Sequence, residues 1–198
     1  MTQVEQEKLW VEAALMGDRA AFAALVNAYK NPVYNLCYRM LGTGAEAEDA
    51  SQEVFIKIYR RLHTYDQTRK MVSWVLSIAS NHCIDRLRRR RLKTTDIEDL
   101  PAWQPLISDK PQPERKMLTL EKQERIQALL NQLPPQYRGP LVMHYWNELS
   151  YQEISETMGL SLSAVKSRLH RGRLKLAKLM RDQSPDLIPL MAKKAVNK

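Results

Sequence analysis

The spacing of apolar residues constrains the fold of this chain more than any other feature. They recur three or four residues apart after Asp18, at Phe22, Leu25, Val26, Tyr29, Val33, Leu36, Cys37 and Met40. This spacing gathers them on one side of an α-helix, with Asp18 as a suitable N-cap, Pro32 as at most a bend and "GTG" at 42–44 as its end. The 198 residues include only six glycines and no runs of Val, Ile and Thr, which strands favour. We therefore expect an all-α fold.

The same spacing predicts six further helices and divides the chain in two. The helices are expected at 45–63, 73–91, from near Pro113 to Gln132, and at 138–146, 151–158 and 162–180. Residues 92–114 instead hold four prolines and five acidic residues against two lysines, which predicts an extended acidic linker. We expect two small helical domains, 1–92 and 115–181, joined by a linker at 93–114 and followed by an extension of unassigned role at 182–198.

Positive charge is concentrated where the third predicted helix ends. The chain has a net charge of +9 and a pI near 9.6, a balance that favours polyanionic partners. Six Lys or Arg residues fall within 86–93, more than a helix end needs to complement its dipole. On the same helix a polar stripe separates two apolar sides: Ser73, Ser77, Ser80, Asn81, Arg88 and Arg91. Small side chains in such a stripe would let a nucleic-acid strand approach the backbone.

The segment 149–176, "LSYQEISETMGLSLSAVKSRLHRGRLKL", has the spacing of a helix-turn-helix motif. Ser150 is placed to cap a first helix, Gly159 to form the turn, and Ser161 or Ser163 to cap a second helix. Between 157 and 181 there are seven Lys or Arg residues and no acidic residue. A generic helical hairpin with a solvated basic face would have this spacing too, but the uninterrupted charge favours a helix that enters the DNA major groove.

Other classes of protein find little support in the sequence. Cys37 and Cys83 lie in apolar surroundings, which favours two buried thiols over a disulfide framework, and neither CxxC nor HxxxH spacing supports a zinc site that would include His63 and His82. We expect no metal, no cofactor and no enzymatic activity. No apolar run reaches membrane-spanning length and the N-terminus does not resemble a signal peptide, so we expect a cytoplasmic protein without membrane insertion.

Four segments together resemble a known family. "AEDASQEVFIKIYRRL", "WVLSIASNHCIDRLRRRR", the acidic linker and "LPPQYRGPLVMHYWNELSYQEISETMGLSLSAVKSRLHRGR" occur in the order and at the spacing of extracytoplasmic-function (group IV) RNA polymerase sigma factors. The resemblance covers about residues 18–180. It implies a helical region 2 for the −10 promoter element and a helical region 4 for the −35 element. It also implies core RNA polymerase (β′ clamp helices and β flap) and promoter DNA as partners, and an anti-sigma factor as a regulator.

The resemblance also implies which residues make the contacts. Those for core polymerase are Asp49, Gln52, Glu53 and Phe55. Those for the −10 element are Asn81, Asp85, Arg86, Arg88, Arg89, Arg90 and Arg91, with the loop His63–Lys70 beside a pocket for a flipped base. Those for the −35 element are Ser163, Lys166, Ser167, Arg168, His170, Arg171 and Arg173. Met71, Gly139 and Pro140 depart from the usual family pattern, and we expect Pro140 in the first turn of its helix.

Two alternatives remain at this stage. A stand-alone helix-turn-helix regulator would explain residues 149–176, but it would leave the acidic linker and the 48–55 surface without a role. An enzyme that acts on nucleic acid would need a metal cluster, a phosphate-binding glycine loop or a nucleophile beside a base, and the sequence shows none of these patterns.

Overall fold

A computed structural model describes residues 3–94 and 114–187, and within these ranges it contains helices and no strand. The α-helices are α1 (Gln3–Leu15), α2 (Arg19–Leu41), α3 (Gly44–Arg61), α4 (Met71–Thr94), α5 (Glu114–Asn131), α6 (Pro135–Tyr145), α7 (Tyr151–Met158) and α8 (Leu162–Gln183). Two short 3-10 turns follow α3 and α8, at Leu62–Thr64 and Pro185–Leu187. The all-α prediction is confirmed.

Helix α2 begins and ends where its sequence predicts. The Asp18 carboxylate accepts hydrogen bonds from the backbone N–H groups of Ala20 (2.8 Å) and Ala21 (3.2 Å), so two of the N–H groups at the helix start are satisfied. Gly42 ends the helix with φ of 104°, a left-handed conformation that glycine adopts at little cost. Pro32 lies inside the helix without ending it.

Several boundaries differ from the prediction. Helix α4 runs to Thr94, past the predicted linker start, and α5 begins at Glu114; residues 95–113 lie outside the described residues. Helix α6 begins at Pro135 rather than at 138, because a proline at the first position of a helix loses no hydrogen bond. Pro140 therefore lies inside α6 and not in its first turn, so that prediction is wrong. Helix α1 was not predicted, although Val11 and Ala14 are buried.

The two halves of the chain pack against each other. Helices α1–α4 form one group and α5–α8 the other, and α2 and α4 of the first group contact α5, α6 and α7 of the second. Buried residues of both groups belong to one continuous apolar cluster. A Cβ atom at Gly139 of α6 would lie 3.9 Å from Met40 of α2, which shows how closely the groups approach. The sequence had predicted two domains but not this contact.

Polar side chains are buried where the halves meet. Arg39 of α2 donates to Gln127 of α5 (3.1 Å), and its guanidinium lies 5.1 Å from the ring centre of Trp146. Arg138 of α6 donates to the carbonyl oxygens of Asn131 (2.6 Å) and Leu133 (3.0 Å) and to that of Met40 in the other half. Burial lowers the pKa of Arg138 to about 10. Hydrogen bonds thus satisfy both terminal nitrogens of Arg138 in place of water, while its Nε has no partner among the described residues.

Candidate nucleic-acid and polymerase interfaces

The turn between α7 and α8 is built by reciprocal capping. The Ser150 hydroxyl accepts from the Glu153 N–H (3.2 Å), and the Glu153 carboxylate accepts from the Ser150 N–H (2.8 Å), which is a capping box. Gly159 ends α7 with φ of 61°. Of the two predicted caps for α8, the structure uses Ser161, whose hydroxyl accepts from the Ala164 N–H at 3.2 Å. These groups fix the entry of α8.

Helix α8 has one buried and one exposed side. Val165 and Leu169 are fully buried against the rest of the helix-turn-helix unit, and a Cβ atom at Gly172 would come within 3.0 Å of Leu141. The opposite side presents short polar and basic side chains to solvent: Ser163, Lys166, Ser167, His170 and Arg171. Arg168 is half-buried beside them. The first two turns of α8 therefore offer the donors that read base edges in a major groove.

Arg173 does not belong to this exposed side. Its guanidinium donates to the hydroxyl oxygens of Tyr145 (2.9 Å) and Tyr151 (2.8 Å), and it lies 5.7 Å and 5.9 Å from the centres of the two rings. The side chain thus ties α8 to α6 and to α7. In this conformation its donors are used inside the protein, which separates it from the six other residues predicted to contact the −35 element.

The basic end of α4 places most of the predicted −10 residues in solvent. Exposed side chains there are those of Asn81, Asp85, Arg88, Arg89 and Arg90. Arg86 is half-buried, and its Nη2 donates to the Asp49 carboxylate of α3 at 2.6 Å. The side chain of Arg91 lies outside the described residues. The helix therefore presents three adjacent arginines to solvent, and arginines are common partners of backbone phosphates.

Three side-chain pairs join α3 to α4, two of them ion pairs and the third a carboxylate beside a neutral imidazole, and we call them the α3–α4 ladder. The three distances are 3.5 Å from Glu46 Oε1 to Arg90 Nη1, 2.6 Å from Asp49 Oδ2 to Arg86 Nη2, and 3.4 Å from Glu53 Oε2 to His82 Nε2. All of these side chains except Asp49 line a groove of about 720 Å³ between the helices. Glu46 and His82 were not among the site residues predicted from the sequence, although the acids of α3 and the bases of α4 recur at matching helical spacing.

His82 is the buried end of this ladder. Lys57 Nζ donates to its Nδ1 at 2.7 Å, so the ring proton is on Nε2, which faces Glu53. Burial first, and then the positive charge of Lys57, lowers the pKa of His82, while Glu53 opposes this shift. Its Nε2 lacks a well-directed hydrogen bond among the described residues. The imidazole is accordingly neutral at pH 7.

The predicted polymerase contacts fall on two sides of α3. Asp49 and Glu53 face α4 through the ladder, yet both carboxylates remain at least half exposed. Gln52 is exposed and Phe55 half-buried, and next to them Ile56 and Tyr59 are exposed apolar side chains that the sequence analysis did not select: Ile56 is 52% and Tyr59 is 55% exposed. This side of α3 therefore combines polar and apolar surface, as protein interfaces do.

The loop before α4 contacts the other half of the chain. Lys70, the last residue of the predicted pocket loop, lies 2.7 Å from the Glu153 carboxylate of α7. This pair, with the capping hydrogen bonds, lowers the pKa of Glu153 to about 2. The expectation of an open polar stripe along α4 is wrong for Ser73 and Ser80, because both side chains are buried. A DNA strand cannot approach α4 at these two positions in this structure.

Among the described residues, no three His, Cys, Asp or Glu side chains are grouped so as to hold a metal ion. Cys37 and Cys83 are both free and buried, with their sulfur atoms 3.7 Å apart. Within 3–94 and 114–187 no helix is long and apolar enough to cross a membrane.

Both halves of the chain match family models. Residues 25–93 match Sigma-70 region 2, and residues 123–176 match Sigma-70, region 4. The first match contains α3 and the basic part of α4, and the second contains the helix-turn-helix unit. The region 2 match accounts for the N-terminal half, which the alternative of a stand-alone helix-turn-helix regulator leaves unexplained.

Full-length relatives agree with these matches. The chain is 40% identical over 172 residues to ECF RNA polymerase sigma factor SigW of Bacillus subtilis, covering 84% of this chain and 92% of SigW. It is 36% identical to ECF RNA polymerase sigma factor SigE of Mycolicibacterium smegmatis, covering 81% of this chain and 63% of SigE. Its fold is similar to CnrH in a structure with the cytosolic domain of CnrY, with a TM-score of 0.64, 22% identity, and coverage of 90% of this chain and 99% of that one. The chain therefore belongs to the extracytoplasmic-function family of RNA polymerase sigma factors, transcription initiation factors that act with core RNA polymerase on promoter DNA and are not themselves enzymes.

Proposed function

We propose that three surfaces of this chain divide the work of a sigma factor. The exposed side of α8 reads the −35 duplex, the basic end of α4 holds the −10 element, and α3 docks on core polymerase. Region 2 then falls within residues 1–92 and region 4 within residues 115–181. One observation carries the proposal: the first turns of α8 expose an unbroken polar and basic side in a capped helix-turn-helix unit.

Contact with the −35 duplex rests on the exposed side of α8. Lys166 and Arg171 supply the donors that suit guanine O6 and N7, while Ser163 and Ser167 are short enough to let the helix approach the groove. His170 is exposed on the same side. The position of Arg173 between two tyrosines supports a different role for it, in which it orients α8 without touching a base.

Contact with the −10 element rests on α4. Arg88, Arg89 and Arg90 are exposed and suit backbone phosphates, whose attraction does not depend on sequence. Asn81 is exposed about two turns earlier and carries both a donor and an acceptor, as recognition of a flipped base requires. Asp85 lies between them, and the pocket loop ends at Lys70.

Polymerase docking rests on α3 and extends beyond the residues that the sequence predicts. Asp49, Gln52, Glu53 and Phe55 form the predicted set, and the exposed side chains of Ile56 and Tyr59 continue it. Apolar and aromatic side chains are common at the centre of protein interfaces, with charged groups around them. We infer that Ile56 and Tyr59 belong to the same docking surface.

We also infer that an anti-sigma factor controls this chain. A second inference is that this chain acts in the cytoplasm, and at the nucleoid when it is bound to polymerase. Support for the first inference comes from CnrH, which is captured with the cytosolic domain of CnrY and has a similar fold. An affinity-tagged chain in a bacterial host tests it: a co-purifying protein that blocks polymerase binding supports it, and a chain that stays active whatever is co-expressed opposes it.

Gel filtration with core polymerase tests the proposed function. We expect the chain to elute with core polymerase, and the Gln52→Ala/Glu53→Ala variant to elute separately while keeping its helical circular dichroism. A Glu148→Gln variant, changed at a turn between α6 and α7, is the control that should co-elute. A wild-type chain that never elutes with core polymerase would contradict the proposal.

A further inference from the structure

The α3–α4 ladder joins two surfaces to which different partners were assigned. Asp49 and Glu53 belong to the proposed polymerase surface, whereas Arg86 and Arg90 belong to the proposed −10 surface. In the isolated chain Asp49 pairs with Arg86 directly, while Arg90 pairs with Glu46 on the same side of α3. An arginine that faces a carboxylate has part of its charge neutralised and attracts phosphate less strongly.

We propose that the ladder couples polymerase binding to −10 DNA binding. In the isolated chain the carboxylates of α3 hold Arg86 and Arg90. A basic surface of polymerase that engages those carboxylates releases the arginines to the phosphates of the DNA strand. This inference rests on the proposed function, because it assumes that α3 binds polymerase and that α4 binds DNA.

The exposure of the ladder suits such an exchange. The Asp49 side chain is 59% exposed and that of Arg86 is 30% exposed, and the Glu46–Arg90 pair is also open to solvent. Exposed ion pairs contribute little net stability, so a phosphate or a basic side chain can replace one partner without unfolding the helices. A fully buried pair would resist the exchange, since removing one partner leaves a charge without water or a counterion.

Arg86 would gain hydrogen bonds if it were released from the ladder. The Asp49 carboxylate occupies Arg86 Nη2, whereas Nη1 is buried and has no hydrogen-bond partner among the described residues. Arg88 and Arg89 form no ion pair with the residues that the structure describes, so they supply a basal attraction for DNA that does not depend on the ladder. The isolated chain therefore already has some affinity for DNA, and the coupling changes the size of that affinity.

Linkage makes the coupling reciprocal. If bound polymerase raises the affinity for DNA by releasing Arg86, then bound DNA raises the affinity for polymerase by the same factor, because Asp49 is then free of its internal partner. This gives an isolated sigma factor weak attraction for stray single strands and a holoenzyme strong attraction for the −10 strand.

Fluorescence anisotropy tests the coupling. It measures the affinity of the isolated chain for a fluorescein-labelled DNA single strand of mixed sequence at several salt concentrations. Mixed sequence suffices because phosphate contacts are sequence-independent. We expect Asp49→Asn to raise the affinity about threefold or more and to steepen the slope of log K against log salt by about 0.7, the value for one added phosphate contact on a single strand. Glu48→Gln, an equal charge change at an exposed neighbour, is the control and should fall well short of this gain.

A double-mutant cycle excludes a general charge effect. The gain from Asp49→Asn should vanish in an Arg86→Gln background, because no arginine remains to be released. A gain that persists in that background, or one that Glu48→Gln reproduces, would overturn the proposal. With saturating core polymerase, measured against core polymerase alone, the rise in DNA affinity should be smaller for Asp49→Asn than for wild type, and an equal rise would also overturn it. A wild-type chain that does not bind core polymerase would instead refute the proposed function. The measurements on the isolated chain contain no polymerase, so they test the ladder separately from that outcome.

Discussion

Arg138 of α6 donates from Nη1 to the backbone carbonyl oxygen of Met40 in α2, so a buried cation joins region 4 to region 2. The same guanidinium satisfies the carbonyl oxygens of Asn131 and Leu133 at the end of α5. One side chain thus completes the ends of two helices that belong to different halves of the chain. These hydrogen bonds add to the apolar contacts by which the two halves pack against each other.

Replacing Arg138 should destabilise the protein strongly. Arg138→Met fills similar space but leaves three buried carbonyl oxygens without their donor, and we expect the free energy of unfolding to fall by about 2 kcal/mol or more. Urea unfolding measures the change. Arg181→Met, at an exposed position of α8, is the matched control and should change it by less than about 0.5 kcal/mol. Equal, small losses in both variants would contradict the contact described.

Replacing Arg173 should lower the free energy of unfolding more than replacing Arg171. Because Arg173 binds two tyrosine hydroxyls and lies over both rings, Arg173→Met should lower the free energy of unfolding by about 1–2 kcal/mol. Arg171→Met removes an exposed side chain and should have almost no effect on stability. Thermal unfolding followed by circular dichroism compares the two variants. If Arg173→Met were as stable as wild type, Arg173 would have no structural role and would again be a candidate for direct contact with DNA.

The features that can be predicted from the sequence differ from the others in how far apart along the chain the interacting residues lie. Spacing within one element predicted α2 and the helix-turn-helix unit, because their apolar sides and caps depend on residues three or four positions apart. Arg173 binds Tyr145 and Tyr151, which lie 28 and 22 residues away in the sequence, so a pattern within α8 could not show this contact. The burial of Ser73 and Ser80 likewise depends on the tertiary packing around α4. The α3–α4 ladder left a readable signal in its opposite charges at matching spacing.

Arg171 should set sequence preference in the −35 element. If its guanidinium contacts a guanine in two places, Arg171→Ala should reduce discrimination at that base pair by about 1–3 kcal/mol. Sequencing of duplexes that holoenzyme selects from a randomised library measures the preference. Lys178→Ala, an exposed position further along α8, should weaken binding without altering preference. Unchanged selection by the Arg171→Ala holoenzyme would place the base contact elsewhere.

His82 should make the protein less stable in mild acid. Burial and Lys57 lower its pKa in the folded state below the ordinary value of about 6.5, while Glu53 opposes the shift and Arg86 and Asp85 act more weakly. The unfolded chain therefore takes up a proton here that the folded chain resists, so the free energy of unfolding falls as the pH drops from about 7.5 to about 5.5. Above this window the imidazole is neutral in both states and contributes nothing.

Replacing His82 by asparagine should reduce this acid sensitivity. Asparagine offers an acceptor to Lys57 but cannot be protonated, so His82→Asn should lose less stability than wild type between about pH 7.5 and pH 5.5. Urea unfolding at each pH gives the comparison, and His170→Asn on the exposed side of α8 controls for removal of a histidine. If the pH dependence of the free energy of unfolding weakened equally in both variants, or did not weaken in His82→Asn, this role for the buried imidazole would be contradicted.

Run-off transcription with purified core polymerase on a genomic fragment library, sequenced at the 5′ ends, tests the central claim most directly. We expect the chain to direct initiation at sites that share −35 and −10 elements, and the Gln52→Ala/Glu53→Ala variant to lose these transcripts. Start sites no different from those of core polymerase alone would contradict the account of this chain as a sigma factor.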